Sequence, residues 1–182
     1  DAVQDEILGR YDDLAAAHPG GAPRVAVRSS ALHEDSDHSF AGQYHSVLGV
    51  GRSGLLAAYL EVVASKYSPE ALLYRISAGL SDEEAAMAVL VLTMVDAAAS
   101  GVVYTRIPTP DSTGERLLVQ SVSGLGLPLV GGEITPDMFL FAPGEQRPDQ
   151  ALAGRQQQRL VLVDGKVRTE AMDDAADRPL SL

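Results

Sequence analysis

The residues best suited to chemistry in this sequence are an arginine, several hydroxyl side chains and a glycine within residues 24–50. Arg28 and Ser29 directly follow an apolar segment, Val25 to Val27, that predicts a buried strand. An arginine guanidinium is a rigid fork of donors that matches phosphate oxygens. Small residues around Gly42 would let backbone N–H groups approach an anion closely. The pattern is typical of a phosphate site, and a hairpin with a solvated loop and one surface arginine is the simpler alternative.

The elements that must position these residues are two strands on either side of a polar loop. Residues 25–28 and the alternating segment 44–50 are predicted to be strands of one mixed or antiparallel sheet. Two amphipathic segments, residues 55–66 and 70–78, predict helices packed on this sheet. Ser68 precedes a proline and an acidic residue, so it is the expected N-cap of the second helix.

The rest of the chain predicts one further helix and more strands. Residues 1–18 have helical spacing of apolar residues with acidic residues early. Apolar segments that predict strands are residues 85–95, 101–105, 116–123 and 160–169, the last a hairpin around an Asp-Gly turn. Residues 143–158 are expected to be a mobile polar loop, and residues 171–182 a poorly ordered tail. We therefore expect a single α+β domain over residues 1–182, with mainly antiparallel strands and helices covering the sheet.

Composition limits the classes of function. The chain has 182 residues, of which 46% are hydrophobic and 21% charged, which is ordinary globular chemistry. No apolar run is long enough to span a membrane. A net charge of -11 argues against broad binding to nucleic-acid phosphates. The absence of cysteine excludes disulfides and thiolate metal sites. We expect a cytoplasmic protein whose partners include neither nucleic acid nor a membrane.

The order of residues between Arg28 and Gln43 resembles the signature of the phosphoenolpyruvate synthase and pyruvate phosphate dikinase family. The family form is RSSATAED, a short spacer and SFAGQ, and this chain has RSSALHEDSDHSFAGQ. Further segments that resemble the family are Tyr74-Arg75, residues 101–108 (GVVYTRIP) and residues 136–139 (PDMF). The resemblance implies a partial ATP-grasp nucleotide-binding domain. Arg75 has the alternative interpretation of an ordinary helix-surface or helix-capping cation.

The resemblance implies ATP and, in the full-length protein, Mg²⁺ as cofactors. The residues that it assigns to nucleotide binding are Arg28, Ser29, Ser39, Ala41, Gly42, Gln43, Ser46, Leu92 and Met94. Arg28 would contact the phosphates, and the loop of residues 39–43 would close over them. We expect residues 35–42 to be mobile without nucleotide, with Phe40 buried as an anchor and Arg28 ordered.

In that family, MgATP phosphorylates a histidine on a separate swivelling domain, and the phosphohistidine then phosphorylates pyruvate or another acceptor. The resemblance therefore implies that the partners are the phosphohistidine and acceptor-substrate domains of the same protein. The isolated chain, which lacks the family's metal-holding strands, is expected to be inactive and to bind nucleotide weakly or not at all. The alternatives are a rifampin-type antibiotic phosphotransferase and a degenerate, non-catalytic nucleotide-binding or regulatory module.

Two substitutions motivate the degenerate alternative. Leu92 stands where the family usually has a glutamine, and Leu127 stands where the family motif GLGE has its acid. Glu133 is a possible substitute for that acid, although a surface position is the simpler interpretation.

The histidines do not supply an acceptor. None of the four, His18, His33, His38 and His45, stands in the family's phosphorylation motif. His33 and His38 lie among acidic residues and could form a divalent metal site. A solvated acidic loop is the simpler alternative, because a metal site requires ligands that converge in space and the spacing here does not enforce this.

Overall fold

The computed structural model describes residues 2–31, 45–82, 86–108 and 115–172. It divides the chain into two compact units, residues 1–95 and 96–182. The assignment of both units to a single domain stays a prediction. The expectations for residues 35–42, for Phe40 and for most of the tail concern segments outside the described residues.

Unit 1 contains the predicted helices at the predicted positions. They are α1 Ala2–Ala17, a short 3-10 turn Arg52–Gly54, α2 Leu55–Ser65 and α3 Pro69–Ala78. The Ser68 hydroxyl accepts a hydrogen bond from the Ala71 N–H at 3.2 Å, which confirms Ser68 as the N-cap of α3. Gly79 ends α3 with a φ of 67°, a left-handed conformation that glycine adopts without steric cost.

Three antiparallel strands form the sheet of unit 1. They are β1 Val25–Ala31, β2 Ser46–Val50 and β3 Met87–Thr93, in the order β2-β1-β3. β1 extends past the predicted end at Arg28, because its residues up to Ala31 pair with β3. The register shifts between Val25 and Val27 where β1 meets β2, and Gly49 adopts a φ of 71° in the same region.

The core of unit 1 lies on one face of this sheet, under α1 and α2. Val25 and Val27 of β1 pack there with Leu55 and Val62 of α2, and all four have no exposed surface. Tyr11 of α1 is also buried, and its hydroxyl donates to the Pro23 carbonyl at 2.6 Å. Burial of these apolar side chains is the main force that holds the two helices on the sheet.

The expectation that α3 also packs on the sheet is wrong. Among the described residues, the core and its partly buried neighbours come from α1, α2 and the strands. Ala71 is the buried residue of α3, whereas Leu73 and Ile76 are 70% and 77% exposed. Amphipathic spacing marked which side of α3 is apolar, but it contained no information about which element that side meets.

Unit 2 is built from antiparallel strands. Its elements are β4 Ala99–Pro108, β5 Glu115–Ser123, the short α4 Leu127–Val130, β6 Asp137–Phe141, β7 Gln150–Leu152, β8 Gln158–Val163 and β9 Lys166–Ala171. β4 to β7 form one sheet in sequence order, and β8 and β9 form a separate hairpin. Asp164 and Gly165 turn that hairpin with φ values of 49° and 71°, as the Asp-Gly pair predicted.

Residues 143–158 are not the purely polar surface loop that the sequence predicted. They contain β7, and they place Gln156 in the interior with 3% exposure. The Gln156 amide accepts from the Ser123 N–H at 2.9 Å and donates to the Ser121 carbonyl at 3.3 Å. The polar composition of this segment gave no indication of a buried residue. A buried glutamine amide needs hydrogen-bond partners, and here backbone groups far away in the sequence provide them.

The α+β class with mainly antiparallel strands is confirmed. None of the helices in the described residues has the length and apolar character needed to cross a bilayer.

Candidate functional site

The candidate site is the face of the unit 1 sheet opposite the helices, here called the open face. Arg28 lies on it, in register with Ser46 on β2 and Leu90 on β3. Directly opposed residues of antiparallel strands project to the same face, so these three side chains share one row. Arg28 is exposed and Leu90 is 46% exposed, so the row presents a cation beside an apolar surface.

Two further predicted residues stand close to this row. Leu92 is 42% exposed and lies two residues after Leu90, hence on the same face. Met94 directly follows β3, where its N–H donates to the Arg24 carbonyl at 2.8 Å. The Met94 sulfur accepts from the Gly49 N–H at 2.9 Å, which ties the end of β3 to β2. The structure therefore brings Arg28, Ser46 and Leu92 to one surface, with Met94 at its edge.

Ser29 occupies the opposite face of the same strand. It pairs with Val89 on the side where the helices pack, because successive side chains of a strand alternate between faces. The role of Ser29 in nucleotide binding stays a prediction. The alternation of side chains does not support a contact from the Ser29 side chain. The other predicted site residues, Ser39, Ala41, Gly42 and Gln43, lie outside the described residues.

The open face has the chemistry to hold an anion next to a flat apolar group. The Arg28 guanidinium can donate two parallel hydrogen bonds to a phosphate, and the Ser46 hydroxyl can donate one more. Leu90 and Leu92 provide apolar surface one strand away from the cation. A nucleotide combines these two requirements in one molecule.

The described residues contain no converging set of metal-ligating side chains. In the four ranges that the structure describes, no three histidine, cysteine or acidic side chains converge to hold a metal ion. Leu127 begins α4 in unit 2, and a leucine side chain has no donor atom for Mg²⁺. Glu133, the possible substitute, is exposed and lies beside Gly131.

Arg75 belongs to a charged cluster at the end of α3, together with Lys66 and Asp82. The Asp82 carboxylate lies 3.0 Å from Arg75 Nη2 and 3.1 Å from Lys66 Nζ, and it accepts from the Tyr67 hydroxyl at 3.3 Å. The Arg75 and Lys66 side chains are only 11% and 13% exposed, whereas Asp82 is half exposed. Arg75 is therefore not an ordinary surface cation, since its side chain is largely buried and its Nη2 lies at the Asp82 carboxylate.

Sequence reasoning did not identify Lys66 and Asp82 as a pair. They are separated by sixteen positions and by the whole of α3, so no helical or strand spacing connects them. Only the return of the chain after α3 brings the carboxylate over both cations.

Lys66 holds the pKa of Asp82 below its usual value of 3.8, mainly by a hydrogen bond, with further contributions from Arg75 and Tyr67. A carboxyl group whose pKa is lower in the folded than in the unfolded protein stabilises the fold at pH values above its unfolded pKa. This stabilisation is lost as the pH falls through the folded pKa. We therefore expect Asp82→Asn to lower the Tm at neutral pH, and the difference from the wild type to shrink below about pH 4. Thermal unfolding followed by circular dichroism across this pH range measures both effects.

Asp164→Asn is the matched control, because asparagine also tolerates the left-handed conformation of that turn residue. Its Tm should stay close to that of the wild type at neutral pH. An Asp82→Asn variant with an unchanged Tm at neutral pH would show that the cluster contributes nothing to stability.

The described histidines have structural partners. His45 Nε2 lies 2.8 Å from the Glu61 carboxylate, and His18 Nδ1 accepts from the Gly20 N–H at 3.2 Å. His33 and His38 lie outside the described residues, so the predicted alternative of a metal site there stays a prediction.

Comparison with known proteins places the chain among nucleotide-binding domains. The family model described as pyruvate phosphate dikinase, AMP/ATP-binding domain, matches residues 1–182. A phosphoenolpyruvate synthase of Aeropyrum pernix is 42% identical over 143 residues, which are 76% of this chain and 17% of that protein. A rifampicin phosphotransferase of Streptomyces sviceus is 35% identical over 176 residues, 94% of this chain and 20% of that protein.

A relative with a different name is also similar. The prodigiosin synthesizing transferase of Serratia marcescens is 40% identical over 147 residues, 76% of this chain and 16% of that protein. The chain spans about a fifth of the length of the curated relatives it matches.

Proposed function

Because this chain belongs to the pyruvate phosphate dikinase AMP/ATP-binding domain family, we propose that it is the ATP-binding part of a longer phosphotransferase similar to phosphoenolpyruvate synthase. The observation that carries this proposal is the row formed by Arg28, Ser46 and Leu90, with Leu92 beside it on the open face. We further propose the cytoplasm as its compartment, where ATP is available as the donor.

Four residues on the open face or at its edge have separate roles in nucleotide binding. Arg28 binds and orients phosphate oxygens through two guanidinium donors, which also offset their negative charge. The Ser46 hydroxyl donates to the same phosphate group. Leu92 and the Met94 thioether contact the adenine ring and exclude water from one side of it. Phosphoryl transfer depends chiefly on positioning and charge stabilisation, which these residues supply in part.

The acceptor in the longer protein is proposed to be a histidine on a separate domain, with the phosphohistidine then passing its phosphoryl group to an acceptor substrate. In this proposal, Mg²⁺ is held by further strands of the longer protein, as the resemblance to the family implies. A rifampin-type phosphotransferase is the second candidate, favoured by the 35% identity that extends over 94% of the chain. The acceptor differs between these two and is determined outside the ATP-binding domain.

A degenerate binding module is the alternative from another class. Leu92 and Leu127 support it, because each replaces a polar side chain that the family uses near the nucleotide. The module would bind a nucleotide through Arg28 without transferring a phosphoryl group. Turnover by the longer protein distinguishes it from an enzyme.

Titration of the isolated chain with ATP, followed by methyl NMR, tests the proposed site. We expect shifts of the Leu92 and Met94 methyl signals, and smaller changes at Leu152 in unit 2. Binding should be weaker than micromolar, because the chain supplies only part of the site. Arg28→Ala should remove the response.

Two results would contradict this account. Methyl shifts confined to unit 2 would place the nucleotide away from the open face. A dissociation constant near one micromolar, about -8 kcal/mol, would show that the chain contains a complete site.

A further inference from the structure

Ser30 lies on the open face of unit 1, two positions after Arg28 on β1. It pairs with Ala88 of β3, as Arg28 pairs with Leu90. Because successive side chains of a strand alternate between faces, Arg28 and Ser30 share one face and Ser29 lies on the other. Arg28 and Ser30 are exposed, whereas Ser29 is only partly exposed.

The burial pattern of β3 identifies the same two faces independently. Val89 and Val91 are partly buried and pack against the core of unit 1. The residues of β3 between and beside them are exposed. Since strand register places Ser30 opposite one of these exposed residues, its hydroxyl is available to a ligand on the open face, whereas the Ser29 side chain projects toward the helices.

The chemistry of the open face changes along β1 from apolar to polar. The first row pairs Ala26 with Leu92, and Met94 follows at the same end of the sheet. Arg28 stands in the second row and Ser30 in the third. Two residues of a strand span about 6.5 Å, so the Ser30 row lies about 13 Å beyond the Leu92 row. The face therefore presents apolar surface, then a guanidinium, then a hydroxyl, in one direction.

We propose that Ser30 binds the nucleotide phosphates that follow the α-phosphate, an inference that rests on the proposed function of the open face. With the base at Leu92 and Met94, the phosphate chain runs along β1 past Arg28 and reaches Ser30. The Ser30 hydroxyl then donates a hydrogen bond to an outer phosphate oxygen. This contact distinguishes a nucleoside triphosphate from a monophosphate, because AMP has only the phosphate next to its ribose.

The surroundings of Ser30 suit an anion. The small side chain of Ala88 stands opposite Ser30 and obstructs its hydroxyl little. A hydrogen bond from a hydroxyl to a charged oxygen contributes more than one between neutral groups, so the loss of this donor has a measurable effect. No acidic residue is among the six that β1 and β3 place on the open face, which are Ala26, Arg28, Ser30, Ala88, Leu90 and Leu92.

Parallel titrations of the isolated chain with ATP and with AMP, followed by the Leu92 and Met94 methyl signals, test this inference. Ser30→Ala should weaken ATP binding by about tenfold and leave AMP binding within about twofold of the wild type. Ser30→Thr should retain the affinity for ATP, because threonine keeps the hydroxyl and is favoured in strands. Ser29→Ala is the matched comparison, since it removes the neighbouring hydroxyl from the opposite face, and it should reduce ATP binding much less than Ser30→Ala.

The possible failures of this inference and of the proposed function give different results. Unchanged ATP affinity in Ser30→Ala, with Leu92 still responding to ATP, would overturn the inference and leave the proposed function intact. Equal losses for AMP and ATP would also overturn it, because Ser30 would then act on the α-phosphate or on the strand itself. A wild-type chain in which neither nucleotide shifts the Leu92 signals would overturn the proposed function, and this inference with it.

Discussion

Replacing Arg28 by alanine is expected to lower kcat/KM for ATP-dependent phosphoryl transfer by about a hundredfold or more in the longer protein that we propose. The Tm should change little, because Arg28 is exposed on the open face and lies outside the apolar core. A positioned guanidinium stabilises charge on the transferred group, so its loss acts on the reaction rather than on folding. Steady-state kinetics and thermal unfolding of the same preparation measure the two effects.

Arg28→Lys separates geometry from charge. Lysine keeps the positive charge but loses the planar pair of donors, so we expect activity between those of the alanine variant and the wild type. Arg168→Ala is a matched control, because Arg168 is an exposed strand arginine on β9. Near-normal turnover with a large fall in Tm for Arg28→Ala would mean that Arg28 is a structural residue, and the simpler alternative to a phosphate site would be correct.

The largest stability effect is expected for Leu55→Ala in α2. Leu55 has no exposed surface and packs in the core of unit 1 with Val25 and Val27. Truncation of a buried leucine removes its transfer free energy and leaves a cavity, which costs about 2 to 5 kcal/mol. Urea unfolding of the isolated chain, followed by far-UV circular dichroism, gives the change in the free energy of unfolding.

The same helix provides the control for this measurement. Leu60 in α2 is 63% exposed, so Leu60→Ala should change the free energy of unfolding by less than about 0.5 kcal/mol. Equal effects of the two substitutions would show that the core does not lie between α2 and the sheet. A loss confined to Leu55→Ala would support the packing of α2 over β1.

The residue pattern alone was sufficient for the local elements. Helical spacing placed α1, α2 and α3, and the Asp-Gly pair placed the turn between β8 and β9, because these signals depend on neighbours within a few residues. The sequence also predicted a buried strand that reaches Arg28, although β1 continues to Ala31. The long match with a family signature pointed to the nucleotide-binding domain whose family model spans the chain.

The tertiary structure decided which side chains meet. Strand register put Arg28 in one row with Ser46 and Leu90 and put Ser29 on the opposite face. The chain turns back after α3 and so brings Asp82 to Lys66 and Arg75. The burial of Gln156 depends on backbone carbonyl and amide groups of β5 that are more than thirty positions away in the sequence. These contacts join residues far apart in the chain, so no local spacing encodes them. Periodicity identifies an apolar face, and only packing determines what that face contacts.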